Sequence, residues 1–594
     1  MNEYSPPIQD IEFLLNEVVG FKEICGFPDC HEFSSNLVST ILNEGGKFAS
    51  EILAPLNQLG DREGSRLKDN TVVTPPGWKE AYQKFVAAGW PTLLADPKYG
   101  GQGLPRVIGV AIQEMWDAAN MAFGLCPMLT QTAAELISFQ GTVDQKKLYL
   151  ANLVSGKWTG TMNLTEPQAG SDLSAIQTKA TRGSKGDYLI RGQKIFITYG
   201  DHDLTKNIIH LVLARVPDAP AGVKGISLFI VPKFLTTPNG EITERNDIRT
   251  VSIEEKMGIH GSPTAVLSYG DNQGATGFLL GEENRGLEYM FIMMNMARHA
   301  VGIESYAIAD RAYQSALRFS SERVQGKDAN GESTQQISID QHPDVARMLL
   351  EMNCRIGAMR SLSLYVASEQ DRAHFNPDQK KRQQHRAIVD ILIPIVKGWS
   401  SEISNNVVGQ ALQVFGGIGF IEETGIAQFY RDARITTIYE GTSGIQAGDL
   451  VRRKLLIDDG KMIQILINLI KDDIVNTSNY TKSLQLSEIC RSMHDGVTHL
   501  EKATEWIQAS SSRDPRLPLA GSFPYLMLWG TVTGGWLMMR SAYAAIKKLQ
   551  KDLTNEYYQE KLLTTRCYMQ YVLPQCTSYS VAIEMGSELV IEQH

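Results

Sequence analysis

Residues 188–199 read YLIRGQKIFITY, and this run decides the fold. It is rich in β-branched and aromatic residues, and it interrupts a chain whose flanks carry helical spacing. Similar runs follow at 207–216, 225–231 (GISLFIV), 250–253, 265–269 and 277–280, separated by Gly, Asp, Asn or Pro. Together they predict a compact antiparallel sheet or barrel of roughly 110 residues. Outward on the N-terminal side, residues 11–15 and 33–53 show the three-and-four spacing of amphipathic helices. On the C-terminal side, helical periodicity resumes near Gly286 and holds through Ile457. It returns from Met462 to about Ile591 after the break Asp458-Asp459-Gly460. The expected class is mainly α with a β-domain. Its divisions are an N-terminal helical domain (1–158), a middle β-domain (159–281), a helical bundle (282–457) and an additional C-terminal helical domain (462–594). Because the β insert divides two helical segments, those segments should pack together with the sheet at one end. The crevice between them is where a cofactor belongs.

With 594 residues, a net charge of −9, 21% charged and 43% hydrophobic residues, the chain has the composition of a globular protein of several domains. The acidic balance argues against a protein built to hold nucleic acid. Between 462 and 594 basic and acidic residues are nearly equal in number, so that block is no basic appendage. Seven scattered cysteines make no disulfide framework and point to a reducing compartment. No secretory or transit leader is legible at the N-terminus, and IEQH carries no peroxisomal tripeptide; the expected location is cytoplasmic. The longest apolar run, 524–539, is short of a membrane span and is interrupted by Thr531, Gly534 and Gly535, so it reads as a core helix. The loop at 326–341 (GKDANGESTQQISIDQ) reads as exposed, KKRQQHR at 380–386 as a solvated helix face, and the Gly-rich 98–105 as a structural loop.

The chemistry concentrates at 431–446, RDARITTIYEGTSGIQ. Glu440 follows an apolar run and precedes Gly-Thr-Ser, a turn that projects a carboxylate from the start of a helix. In a dry pocket such a group is a general base, since desolvation lifts its pKa toward working pH. On spacing alone it is equally an acid favoured by a helix N-terminus. Residues 161–172, TMNLTEPQAGSD, offer backbone N–H groups, hydroxyls and a Gly-permitted turn, suited to a polar, phosphate-bearing ligand or to an ordinary turn. In 194–200, KIFITYG, Phe196 and Thr198 share one face of a strand; an aromatic plus a hydroxyl there can stack on a flat heterocycle and bond its edge. The Met-rich stretch 289–296 reads as core packing more readily than as an acyl pocket. No metal site is expected.

Taken together, LTEPQAGSD, KIFIT, QVFGG at 413–417 and YEGT at 439–442 resemble the acyl-CoA dehydrogenase family in order and spacing over roughly residues 35–455. The N-terminal extension, KMGIHGSPT at 256–264 and the added C-terminal domain resemble the long subgroup that includes 3-methylmercaptopropionyl-CoA dehydrogenases. The resemblance implies an N-terminal helical domain, a central antiparallel β-barrel and a C-terminal four-helix bundle, plus the extra helical domain, with FAD as cofactor. It implies that Met162, Leu164, Thr165, Gly170 and Ser171 line the flavin and its pyrophosphate. Phe196, where medium-chain relatives carry Trp, stacks on the isoalloxazine beside Ile197, with Thr198 donating near N5. Arg323, Gln413, Gly416 and Gly417 reach the FAD of a neighbouring subunit, implying a homodimer or a dimer of dimers. Thr442, Ser443 and Gly444 hold the pyrophosphate at a helix N-terminus.

Ser171, Asn295, Arg298 and Gly441 are implied to contact the acyl-CoA substrate, with Asn295 in place of an aspartate. The implied reaction is α,β-dehydrogenation to the trans-2-enoyl-CoA. Glu440 takes the α-proton, flavin N5 takes the β-hydride, and the Glu440 N–H supports the enolate charge. An electron-transferring flavoprotein is the implied acceptor. An acyl-CoA oxidase using O2 fits the same motifs. A flavin-carrying nucleic-acid-binding relative is disfavoured by charge, and a scaffolding relative by the presence of Glu440.

Overall fold

Apolar residues on nearly every side of four long segments force those segments to bury one another. In the computed structural model of the chain, which describes residues 3–30, 33–331, 335–480 and 483–593, they form α1 (Arg106–Gln140), α2 (Gly286–Glu322), α3 (Pro343–Phe375) and α4 (Gln379–Phe415). α2 packs against the other three, and α3 lies along α4. α1 is two helices merged at Asn120, whose backbone turns to φ −161° and ψ 86°. The Asn120 carboxamide oxygen caps the second half by accepting from the Phe123 N–H at 3.1 Å.

Between α1 and α2 lies an eight-stranded sheet. Its strands are β1 (Thr159–Asn163), β2 (Lys179–Arg182), β3 (Tyr188–Thr198), β4 (Ile208–Ala214), β5 (Ser227–Pro232), β6 (Ile248–Ile253), β7 (Thr264–Tyr269) and β8 (Ala275–Leu279). The order is β6-β7-β3-β8-β5-β4-β1, with β2 also on β3. Neighbours run antiparallel with one exception: β1 lies parallel to β4, Thr159 opposite Ile208. The expected all-antiparallel sheet is corrected there. β1 is buried at all five positions, so it shows no in–out alternation that could have exposed it as a strand. Ile190, Ile197, Val212, Phe229 and Leu267 make a small core on one face of the sheet.

After α4 the chain makes α5 (Ile426–Ala433) and α6 (Ser443–Asp449), then α7 (Lys461–Tyr480), α8 (Leu484–Ser511), α9 (Ser522–Leu549) and α10 (Glu556–Cys567). The run 524–539 lies inside α9, a buried helix packed on α3, α4 and α6. Among the described residues no helix is long and apolar enough to cross a membrane. The Gly-rich loop at 98–105 folds on itself: a Cβ on Gly101 would stand 1.9 Å from the Ala95 carbonyl oxygen. The expected loop at 326–341 is instead partly a hairpin, Val324–Lys327 pairing with Gln336–Ser338; residues 332–334 lie outside the described residues.

Candidate active site

Glu440 sits in the turn that leads into α6. Its backbone is left-handed, φ 55°, followed by Gly441 at φ 88°, so consecutive residues occupy a region that only glycine enters freely. Three groups hold the turn from below. The Lys397 ammonium of α4 donates to the Gly441 carbonyl at 2.6 Å. The Gln446 carboxamide donates to the carbonyls of Glu440 at 3.2 Å and Gly441 at 3.3 Å. The Tyr439 hydroxyl donates to Glu304 of α2. A Cβ on Gly441 would stand 2.7 Å from the Gln446 amide nitrogen, so glycine lets this clamp close.

Burial lifts the Glu440 carboxyl to about 7, against the pull of the Arg298 and Lys397 charges. The surroundings of Glu440 therefore hold two cations as well as excluding water. Burial lowers Lys397 to about 8, with the Glu440 charge acting to raise it. Burial also pushes Glu304 well above the carboxylate range, and the neighbouring charge of Asp117 on α1 adds to the rise. Arg298, 4% exposed, bonds Asn295 at 3.3 Å and pairs with Asp449 of α6 at 3.4 Å. It stands in the field of Glu440, deeper than a residue that meets a solvent-side phosphate. Asn295 is half-buried one turn earlier. The sequence reading passed over Lys397, Glu304 and Asp117. Their trace in the sequence is a lone charge within an apolar helical run, as in ILIPIVKGWSS.

A second group of the expected residues lies at the C-terminal end of β3. Pairing steps from Ile197–Ala265 to Lys194–Leu267, so β3 carries one residue more than β7. This bulge puts Phe196 at φ 59° and leaves it 59% exposed. The bulge leaves the Phe196 ring exposed, with buried Ile197 between it and the half-buried Thr198. Ile197 and Met162 are buried in the core, and Leu164 and Thr165 are half-buried where β1 ends. Gly170 and Ser171 are exposed, and Gly170 has open space where a Cβ would go.

A buried pair fixes this loop. The Lys194 ammonium meets the Glu166 carboxylate at 2.8 Å and the Leu164 carbonyl at 2.9 Å. Glu166 also accepts from the Thr178 hydroxyl at 2.6 Å and the Gln177 N–H at 2.7 Å. An exposed aromatic ring beside an open, glycine-bearing loop fits a flat heterocycle with a polar tail.

Ser443 opens α6. Its hydroxyl is buried and donates to Glu402 at 2.5 Å, while the Thr442 hydroxyl caps α6 by accepting from the Ile445 N–H at 3.3 Å. The Ser443 proton is thus committed to Glu402, while the Thr442 hydroxyl, used only as an acceptor, keeps its proton for another partner. Gly444 is exposed. Arg323, Gln413, Gly416 and Gly417 are exposed at the joined ends of α2 and α4, where Phe319 and Phe415 stack with centroids 4.3 Å apart. Among the described residues no group of three or more His, Cys, Asp or Glu is placed to hold a metal ion.

The profile "Acyl-CoA dehydrogenase, N-terminal domain" matches residues 43–157, its middle domain 161–271 and its C-terminal domain 284–455. "Acetyl-CoA dehydrogenase C-terminal like" matches residues 466–593. Over 588 residues, 99% of both chains, the sequence is 43% identical to a 3-methylmercaptopropionyl-CoA dehydrogenase of Ruegeria pomeroyi. The chain belongs to the acyl-CoA dehydrogenase family. It is an oxidoreductase, and its helical architecture with a central sheet is the family's. An acyl-CoA dehydrogenase of Bacillus anthracis solved in complex with FAD superposes with a TM-score of 0.74 at 20% identity, covering 98% of this chain and 93% of that one. A chain from the structure of an electron transferring flavoprotein of Acidaminococcus fermentans superposes with a TM-score of 0.56 at 26% identity. That match covers 71% of this acyl-CoA dehydrogenase and 98% of that chain.

Proposed function

We propose that this acyl-CoA dehydrogenase converts a short thioether or straight-chain acyl-CoA to its trans-2-enoyl-CoA, with Glu440 as the base. 3-Methylmercaptopropionyl-CoA is the first candidate, on the full-length similarity to the Ruegeria enzyme. The observation that carries the role of Glu440 is its carboxyl, lifted by burial to about 7 and held in a clamped turn. Near neutral pH such a group exists in part as a carboxylate strong enough to accept a weakly acidic α-proton. The Glu440 N–H supports the thioester oxygen as negative charge develops there. Asn295 and Ser171 are the polar positions assigned to the CoA arm, while Arg298 acts on the charge of Glu440. Gly441 leaves the thioester room against the backbone.

The cofactor is FAD. Phe196 offers a stacking face, Thr198 a hydroxyl at its edge, and 164–171 an open loop for its polar tail. The backbone N–H groups at 442–444 and the Thr442 hydroxyl proton are what this turn presents to a pyrophosphate. Bound FAD supplies the acceptor for the two electrons that leave with the β-hydrogen. Exposure of Arg323, Gln413, Gly416 and Gly417 supports their use on a second copy's cofactor, hence a homodimer or a dimer of dimers. An electron-transferring flavoprotein takes the electrons onward, in the cytoplasm. The four segments 1–158, 159–281, 282–457 and 462–594 are read as the domains that build this site.

Glu440→Gln is expected to retain FAD and lose activity by about a thousandfold. Anaerobic bleaching of the flavin by a panel of acyl-CoAs, 3-methylmercaptopropionyl-CoA and butyryl-CoA among them, tests both points. A flavin that stays yellow across the panel in the wild type sinks the reading, as does near wild-type bleaching in the variant. Rapid peroxide formation in air would assign the acceptor to O2 instead.

A further inference from the structure

Lys397 is buried completely in the middle of α4, a place where an ammonium group is costly unless it is compensated. No carboxylate lies within ion-pair distance of its nitrogen among the described residues. Its one hydrogen bond there is to the Gly441 carbonyl, one residue past the base. The backing is rigid: the neighbouring Gly398 fits under Leu526 and Gln446, and Trp399 wedges against Gly530 of α9. The charges facing the Glu440 region come from every packed element. They are Arg298 and Glu304 on α2, Lys397 and Glu402 on α4, Asp117 on α1, and Asp449 on α6, with the Tyr439 phenol beside them. Glu304 and Asp117 are held toward their neutral forms by burial. Arg298 already has Asp449 as its partner. Lys397 is the positive group without a carboxylate partner of its own.

We propose that Lys397 is a positioning residue for Glu440: it holds the catalytic turn by the Gly441 carbonyl, and its charge keeps the base ionised near neutral pH. The proposal rests on Glu440 being the base. Removing the charge while keeping a donor, as in Lys397→Gln, leaves burial opposed by Arg298 alone, so the carboxylate forms only at higher pH. Lys397→Met removes both charge and tether; Lys397→Arg keeps the charge.

The test is the pH profile of kcat/KM on FAD-loaded enzyme, with the acyl-CoA that bleaches the wild type fastest, alongside FAD content and melting temperature. In the wild type the ascending limb is expected near 7. In Lys397→Gln and Lys397→Met it is expected about one pH unit higher, so that activity falls roughly eightfold at pH 6.5 and little at pH 9. Lys397→Arg is expected to keep the wild-type midpoint. An even loss at all pH values in the Gln and Met variants would show a purely structural lysine and overturn the proposal. An equal shift in the Arg variant would do the same, because volume and not charge would then be responsible. If none of the three variants folds with FAD, the lysine serves the fold and the proposal fails. Glu440→Gln separates the two readings: full activity there removes the base itself. An inactive Glu440→Gln with unshifted Lys397 variants removes only the role of the lysine.

Discussion

Glu440 and Phe196 share an unfavourable backbone, φ 55° and φ 59°. A left-handed conformation costs a residue with a Cβ about 1–2 kcal/mol, and such strain is kept where the surroundings demand one direction of the side chain. At Phe196 the ring gains little burial in return, being 59% exposed. Phe196→Gly is therefore expected to leave the melting temperature of the apoprotein unchanged or raised, while FAD binds at least tenfold more weakly. Calorimetry and a flavin titration measure the two. A Gly variant that melts much lower and still holds FAD tightly would show the ring to be a core residue. For Glu440 the sign of the pH effect follows from its chemistry: only the carboxylate accepts a proton, and burial holds the group at about 7. kcat/KM should thus rise about tenfold per pH unit below the midpoint and level off above it, which a profile from pH 5.5 to 9 checks. A flat profile over that range would disconnect the carboxyl from the rate.

At the scale of elements, the end of β3 and the loop after β1 depend on one buried ion pair. Glu166 and Lys194 are 3% and 0% exposed, and between them they bind the carbonyl of Leu164 and the backbone of the next strand. Breaking a buried pair strands a charge, at about 3–5 kcal/mol. Glu166→Ala should lower the unfolding free energy read from urea titration by that amount and loosen FAD. The double variant with Lys194→Met should recover much of the loss, because no charge is left unpaired. Failure of the double variant to recover would place the effect elsewhere. The same strand shows what was legible in the sequence. Six of the eight strands stood out because β-branched runs between turn residues have few other structures to adopt, and the long helices stood out by their period. β1, wholly buried, and β2, only four residues long, carried too little pattern. The bulge at Phe196 is set by pairing with β7, which no local pattern encodes. The proposed base could be singled out because its turn chemistry is local. The cluster beneath it was not, because Asp117, Glu304, Lys397 and Glu440 come together only when four distant segments pack.

At the scale of the whole molecule, the N-terminal extension and the C-terminal domain close on the same back face of the bundle. Arg360 of α3 meets Asp10 at 2.9 Å, Glu114 of α1 at 2.6 Å and Asp310 of α2 at 3.4 Å. Lys561 and Tyr557 of α10 reach Asp10 from the other side. The C-terminal domain is thus tied to the N-terminal extension as well as to the bundle. Its main purchase is α9, whose Gly530 and Gly534 receive the Trp399 ring: a Cβ at Gly530 would stand 2.0 Å from the ring carbon Cγ. Both partners sit in the middle of long helices, so neither can yield without shifting a helix. Gly530→Ala is expected to cost about 1–3 kcal/mol through overpacking, read as a lower melting temperature. Because Trp399 follows Lys397 by two residues and Leu526 of α9 rests on Gly398, the displaced helix should also disturb the tether at Gly441 and lower kcat. A Gly530→Ala enzyme that melts and turns over like the wild type would show that α9 does not brace the turn, and the domain's contribution would then have to lie elsewhere.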